Sequence, residues 1–468
     1  MPDRPGRRPA KSPVQIFAGL TVLGMTALAA LGLSFTSGGA IALAQEETAG
    51  PAVSGVTGSQ TPAAAPKPQE IRALWVVRTA LTSEYSIEQV VEDAVANGFN
   101  TLIAQVSGRG DAYFKSETMP PAEELIWAPA DFDPLSYLLQ LAHARGLQVH
   151  AWLNDFFVYN LGGTPAWPQH VVNQHPDWIT YNYQGVSTAD PSLAVNRPGD
   201  LEGAYVDPGL PEVREWVVSR FVEVVKKYPV DGIHHDFVRY PGRNYGYNPR
   251  VREIFKEQYG VDPIDLRQRR TELREELGAA KVGQLDVAWE KFRRSNVTET
   301  VRMVHDAVKA IRPDIVISAA VFADINQAVS DKAQDWPTWL KEGLIDVAVP
   351  MAYNTNSPLV ESQVRMAVAR KGQGQIWAGL GAYKMLGDLP RLVDQTERVR
   401  RAGVTGIVYF DYGSMANMPG YIASLANQVG FLPVPVPAGT PEDSKSPGEG
   451  QAEPGASASP PDPGNSGN

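Results

Sequence analysis

The stretch best suited to chemistry is Asp231-Gly232-Ile233-His234-His235-Asp236-Phe237-Val238-Arg239, an apolar run that ends in a carboxylate. Side chains alternate along a strand, so His234 and Asp236 share one face and Ile233 and His235 the other. A carboxyl group at a strand tip above His234 is placed to transfer protons or to act as a nucleophile; its non-chemical alternative is a loop cap or an ion pair with Arg239. In the run ending His150-Ala151-Trp152-Leu153-Asn154-Asp155, His150, Trp152 and Asn154 share a face. An indole suits the apolar face of a sugar ring and an amide suits its hydroxyls, although His150 and Trp152 would serve equally as interior packing. After Gln105, Gly108 and Gly110 let the backbone turn sharply and bring Arg109 and Asp111 over the same mouth, as substrate contacts or as an ion pair that fixes the loop.

Other apolar runs close on Phe322-Ala323-Asp324, on Met351-Ala352-Tyr353-Asn354, before Tyr383-Lys384, and on Tyr409-Phe410-Asp411-Tyr412. Glycoside hydrolysis normally takes two carboxyl groups. Asp324, from the run that follows Asp236 in the chain, is the preferred partner, with Asp411 next. The expected substrate contacts are Arg109, Asp111, His150, Trp152, Asn154, His234, Tyr353 and Tyr383. His150, His234, His235 and Asp236 are also the ligand types of a zinc site. Since His234 and His235 point to opposite faces, neither a metal nor another cofactor is expected.

These residues need elements to hold them. Eight short β-rich runs, 71–78, 99–106, 147–154, 230–237, 315–322, 345–353, 375–382 and 405–412, alternate with amphipathic helical stretches. Ser86 is read as the cap of a helix over 87–97 stopped by Gly98. Asp133-Pro134 opens a second helix closed by Gly146, and Pro211 opens a third to Lys227. Near-continuous apolar strands separated by helices imply a parallel sheet covered on both faces, and eight of them predict an α/β fold, a (β/α)8 barrel over residues 69–432. A doubly wound sheet would want a glycine fingerprint after the first strand, where Val77-Arg78-Thr79 stands instead. The two long connections, after the third strand and after the fourth, follow strand C-terminal ends, where barrel enzymes build their sites. His170, His175, Trp178, Tyr181 and Tyr183 in the first of them suit a cleft wall.

The flanks differ in composition. Arg4, Arg7, Arg8 and Lys11 precede an apolar run from about Val14 to Phe35, and Ala42-Leu43-Ala44 follows, so residues 1–44 read as a cleaved signal peptide or, failing that, a membrane anchor. Export to the periplasm, envelope or exterior is expected, with membrane contact through that segment alone. Residues 45–68 read as a linker, and the Pro, Gly and Ser-rich residues 433–468 as a disordered tail. The chain has no cysteine, so the core and not disulfides must stabilise it. Its net charge is −10, and −13 without the basic leader (four basic residues against one acidic). No basic footprint speaks for nucleic acid, and anionic polymers are weaker candidate substrates than neutral ones. A polysaccharide acted on by a monomer is the expected partner.

From Gln69 to Leu432 the chain resembles the glycosyl-hydrolase-like family 10 proteins. The resemblance rests on an ordered series: Arg72-Ala73-Leu74-Trp75-Val76, Gln105 to Tyr113, His150 to Asn154, His175-Pro176-Asp177-Trp178, Asp207-Pro208-Gly209-Leu210-Pro211-Glu212-Val213-Arg214, and Asp231 to Pro241. It implies an envelope glycosidase acting on peptidoglycan glycan strands, with the family's acidic residue at Asp236. Many relatives carry two consecutive acids there; this chain has Asp236-Phe237. Nor does its seventh strand end in the Glu nucleophile of the large retaining-barrel clan.

Overall fold

The computed structural model describes residues 70–431, apart from 197 and 200. The leader, linker and tail read from the sequence lie outside the described residues. Eight parallel strands close into a barrel: β1 (Ile71–Val76), β2 (Thr101–Ser107), β3 (Gln148–Asn154), β6 (Gly232–Asp236), β7 (Val316–Phe322), β8 (Val347–Met351), β9 (Gln375–Gly381) and β10 (Gly406–Phe410), with β10 pairing back onto β1. The remaining two strands, β4 (Phe157–Asn160) and β5 (Gly203–Tyr205), pair antiparallel within the long connection after β3. Among the described residues no helix is long and apolar enough to cross a membrane.

The helices start where local chemistry caps them. Asp133 accepts a hydrogen bond from the Ser136 N–H and Pro134 fixes the first turn of Pro134–Ala144. The first helix begins earlier than expected, at Glu84. Ser83 is its cap, and Ser86 is the reciprocal partner three residues in, so a capping box stands where the sequence suggested a single cap. In the loop motif, the buried Asp207 carboxylate accepts from Thr180 Oγ1 (2.7 Å), the Tyr240 hydroxyl (2.9 Å) and the Gly209 N–H (3.0 Å). That hub ties the long connection to the segment after β6.

The barrel interior is filled by large rings made possible by glycines on other barrel strands. A Cβ on Gly232 would sit 2.4 Å from the His150 ring, and one on Gly379 would sit 2.8 Å from Trp75. His150 packs on Trp377 low in the barrel (centroids 5.6 Å apart), and Trp75, Trp152 and His234 meet above them. The interior is therefore a packed plug and not a pore. Space opens at the C-terminal mouth.

Candidate active site

Asp236 ends β6, and the chain then turns through Phe237 in the left-handed region (φ 49°). That conformation is uncommon for a residue with a Cβ and recurs at functional sites. Here it turns the Phe237 N–H back onto Asp236 Oδ1 at 2.7 Å. The Asp236 side chain faces a cavity of about 250 Å³ walled by Trp75, Trp152, Phe237, Met351, Tyr353 and Phe410, with Gln105, Arg78 and Arg239 as polar lining. Asp236 is the one acid in that lining, and it is 6 % exposed. Burial pushes its carboxyl up to about 6, against the Arg239 cation and the Phe237 and Trp152 N–H groups, which favour the charged form. A carboxyl group tuned to that value holds its proton at mildly acid pH and can donate it.

The aromatic wall is continuous. Tyr353 stacks on Phe410 (5.3 Å) and meets Trp75 edge-on (6.1 Å), while Tyr383 stands on the rim, edge-on to both Tyr353 and Phe410. Burial, with Asp236 and Asp411 adding to it, holds the Tyr353 hydroxyl well above the usual phenol range, so it stays protonated. A polar chain fixes the other side. Arg78 Nη1 donates to Gln105 Oε1 (3.1 Å), the Trp152 indole N–H donates to Asn154 Oδ1 (3.1 Å), and Asn154 Nδ2 donates to the Gly108 carbonyl (2.7 Å). Trp152 therefore presents a fixed ring face, and Asn154 is a brace for it.

His234 shares the inward face with Asp236 but lies in the plug. Its Nε2 accepts from the Trp75 indole at 3.1 Å; indole only donates, so in the neutral ring the proton sits on Nδ1 and goes to Ser318 Oγ at 2.8 Å. Ser318 in turn donates to the Ile233 carbonyl at 3.1 Å. Burial drives the His234 ring well below the usual imidazole range, with His150 and His235 adding to it, and burial lowers His150 to about 4. Nitrogen-15 NMR should accordingly find His234 neutral at pH 7, with Nδ1 protonated and Nε2 bare; a protonated Nε2 or a charged ring at that pH would contradict the assignment. His235 faces outward, bonded to Asp155 at 2.9 Å and packed on Phe221. The sets that might have made a metal site are thus dispersed, and no group of three or more candidate ligands forms among the described residues.

Several candidates sit elsewhere than the sequence reading put them. Asp324 is an exposed N-cap, accepting from the Gln327 N–H (3.0 Å) at the start of Ile325–Ser330. It does not line the cavity, because the chain leaves β7 into that helix. Asp324→Ala should cost about 1 kcal/mol of stability in urea titrations and leave the activity proposed below near wild type; a collapse of turnover would return Asp324 to the site. Asp411 caps Tyr412–Ala416 through Ser414 (2.8 Å to its N–H, 2.7 Å to its hydroxyl) but stays close enough for its charge to act on Tyr353 and Tyr383. Arg109 and Asp111 form a buried pair at 3.1 Å, which Glu124 extends at 2.5 Å, and they lie outside the cavity. His150 and His234 are interior packing. His170 bonds the Arg109 carbonyl and His175 stacks on Trp178 (3.8 Å), so that stretch builds loop scaffold. Arg78, Gln105, Trp75 and Phe410 were not among the expected contacts. Strand parity, continued from Ala73 to Trp75 and from Ile103 to Gln105, is the signal that points to two of them.

A larger hollow of about 530 Å³ lies among the helices after β6, lined by Arg243, Arg267, Arg270 and Trp289 among others. It contains no strand-tip residue, and its Arg270 is already paired with Asp286 (2.6 Å).

Solved structures share the architecture. The PgaB (BpsB) glycoside hydrolase domain from Bordetella bronchiseptica superposes with a TM-score of 0.56 at 15 % identity, over 77 % of this chain and 99 % of that one. The catalytic domain of a Paenibacillus polymyxa β-amylase does so at 0.51 and 12 %, over 78 % and 99 %. Glycosyl hydrolase DigH of Escherichia coli K12 is 26 % identical over 326 residues, 62 % of this chain and 63 % of DigH. Glycosyl hydrolase YngK of Bacillus subtilis is 24 % identical over 318 residues, 61 % of this chain and 54 % of YngK. The match thus spans less than two thirds of either relative's length. A model of the family described as glycosyl hydrolase-like 10 matches residues 70–385, two thirds of the sequence, and to that family this chain belongs.

Proposed function

We propose that the protein hydrolyses glycosidic bonds in a cell-envelope polysaccharide, peptidoglycan glycan strands being the substrate, with Asp236 as the proton-transferring carboxyl. The observation that carries this reading is a single buried carboxyl group, pushed up to about 6, in an aromatic-walled cavity at the barrel mouth. A sugar ring stacked in that cavity presents its glycosidic oxygen to Asp236, which donates a proton as the bond to the anomeric carbon breaks; the leaving sugar departs as an alcohol, water adds its oxygen to the anomeric carbon, and the proton that water gives up restores the Asp236 carboxyl group over the cycle. Asp236 must be protonated to act, so the rate falls as pH rises through about 6. The supporting carboxylate falls to Asp411, whose charge, like that of Asp236, acts on Tyr353. The leader read in residues 1–44 would deliver the barrel to such a substrate.

A binding-only barrel is the rival reading, favoured by the one-acid lining. Incubating the purified protein with glycan strands and measuring new reducing ends separates the two. Release of reducing ends supports hydrolysis, and saturable binding without product supports the rival.

A further inference from the structure

Behind Asp236, on the outer side of the barrel wall, three ionisable side chains are shut away from water together: Asp155, His235 and Arg220 are each 0 % exposed. Burying such groups is costly unless partners hold them, and here the partners form a closed circuit. The Asp155 N–H donates to the Asp236 carbonyl at 2.7 Å, and the Phe156 N–H to the Phe237 carbonyl at 3.4 Å. His235 Nδ1 donates to the Asp155 carboxylate, 3.1 and 2.9 Å from its two oxygens. His235 is also the residue before Asp236, so the circuit grips Asp236 on both sides. Arg220, from the helix Pro211–Lys227, fixes the other strand. It donates to the Asn154 (3.0 Å) and Asp155 (2.7 Å) carbonyls, and its guanidinium lies 3.9 Å from the centroid of the Trp216 ring. The left-handed turn at Phe237 needs such anchoring, because a residue with a Cβ does not hold that conformation by itself.

We infer that Asp155 is a positioning residue for Asp236, fixing its main chain through His235 and placing a buried charge behind its carboxyl group. Asp155 does not line the cavity, so it acts through Asp236 alone. The Asp236 carboxyl is faced by Arg239 from its own segment, Arg78 from the turn after β1, Tyr353 from the end of β8, and Asp155 from the end of β3; Asp411 reaches Tyr353. Among these, the Asp155 charge acts with burial to favour the protonated form, against Arg239. Asp155 is itself faced by His235 and Arg220. The kinetic consequence rests on the proposed hydrolase reading, whereas the coupling of Asp155 to Asp236 holds with or without turnover.

The test separates the charge from the grip. Asp155→Asn removes the charge and keeps an oxygen for His235 Nδ1. Its rate on glycan strands should fall with rising pH about one unit below the wild-type limb, with KM unchanged. Asp155→Ala also releases the grip, and should lose about 10- to 100-fold in kcat while KM stays within about twofold. If Asp155→Asn fails to fold, His235→Leu replaces it. A carboxylate buried without its donor takes up a proton, so the limb again moves to lower pH. An unmoved or raised limb overturns the inference, as does a loss confined to KM or to stability. If the wild type cleaves no glycan, the hydrolase reading fails by itself and the folding equilibrium still decides the coupling. The stability difference between wild type and Asp236→Asn should level off near pH 6. The same difference measured in the Asp155→Asn background should level off about one unit lower. Coincident curves in the two backgrounds overturn the inference.

Discussion

Asp236→Asn should abolish release of reducing ends, with a loss on the order of 10³-fold, and should make the folded protein more stable at neutral pH. Both effects come from one cause. Burial raises the Asp236 carboxyl from 3.8 to about 6, so the native state keeps a proton that the unfolded chain gives up near pH 4. The unfolded state therefore binds fewer protons across that window, and stability falls as pH rises through it. The gap corresponds to about 3 kcal/mol above pH 6. Asparagine keeps the acceptor for the Phe237 N–H and cannot ionise, so urea titrations should show the variant more stable by up to about 3 kcal/mol at pH 8 and equal to wild type at pH 4. A variant that is inactive and also destabilised at pH 8 would mean that Asp236 is held as a structural anion.

Arg109→Ala should lose about 3–5 kcal/mol of stability, because Arg109 and Asp111 are buried together and the substitution strands the carboxylate. Asp111 is 2 % exposed, and its ion pair with Arg109 spans 3.1 Å. The same change removes the partner of Glu124 and the cation over the Tyr159 ring. Urea denaturation at pH 7 measures the loss. A raised KM with unchanged stability would instead place Arg109 on the substrate, as its position after β2 first suggested.

The barrel was legible because its signals are local. Each β-rich run overlaps a strand, with ends displaced by a few residues, and parity along β6 separated His234 from His235 correctly. The β4–β5 pair was not legible, since strands of four and three residues joined across a long connection carry no period of their own. In the site, Asp236, Trp152 and Tyr353 lie together in the cavity as the strand-tip argument placed them, with Asn154 bracing Trp152. Asp324 and Asp411 satisfy that argument equally well by position, but each opens a helix. The Asp324-Ile325-Asn326-Gln327 spacing is itself a cap signature. Arg109 and Asp111 turn inward on each other because Glu124 and His170, far from them in sequence, complete their shell. Arg78 was not legible because it lies one residue past the end of the inward pattern of β1, where a short 3-10 turn (Arg78–Leu81) and not the strand sets its direction.

Hydrolysis of a glycan at Asp236 is tested most directly by digesting glycan strands in heavy-oxygen water and weighing the products by mass spectrometry. The account predicts short fragments whose new reducing ends carry the heavy oxygen, formed by the wild type below about pH 6 and absent with Asp236→Asn. Intact strands with the wild type, unlabelled fragments, or labelled fragments that persist in Asp236→Asn would contradict it.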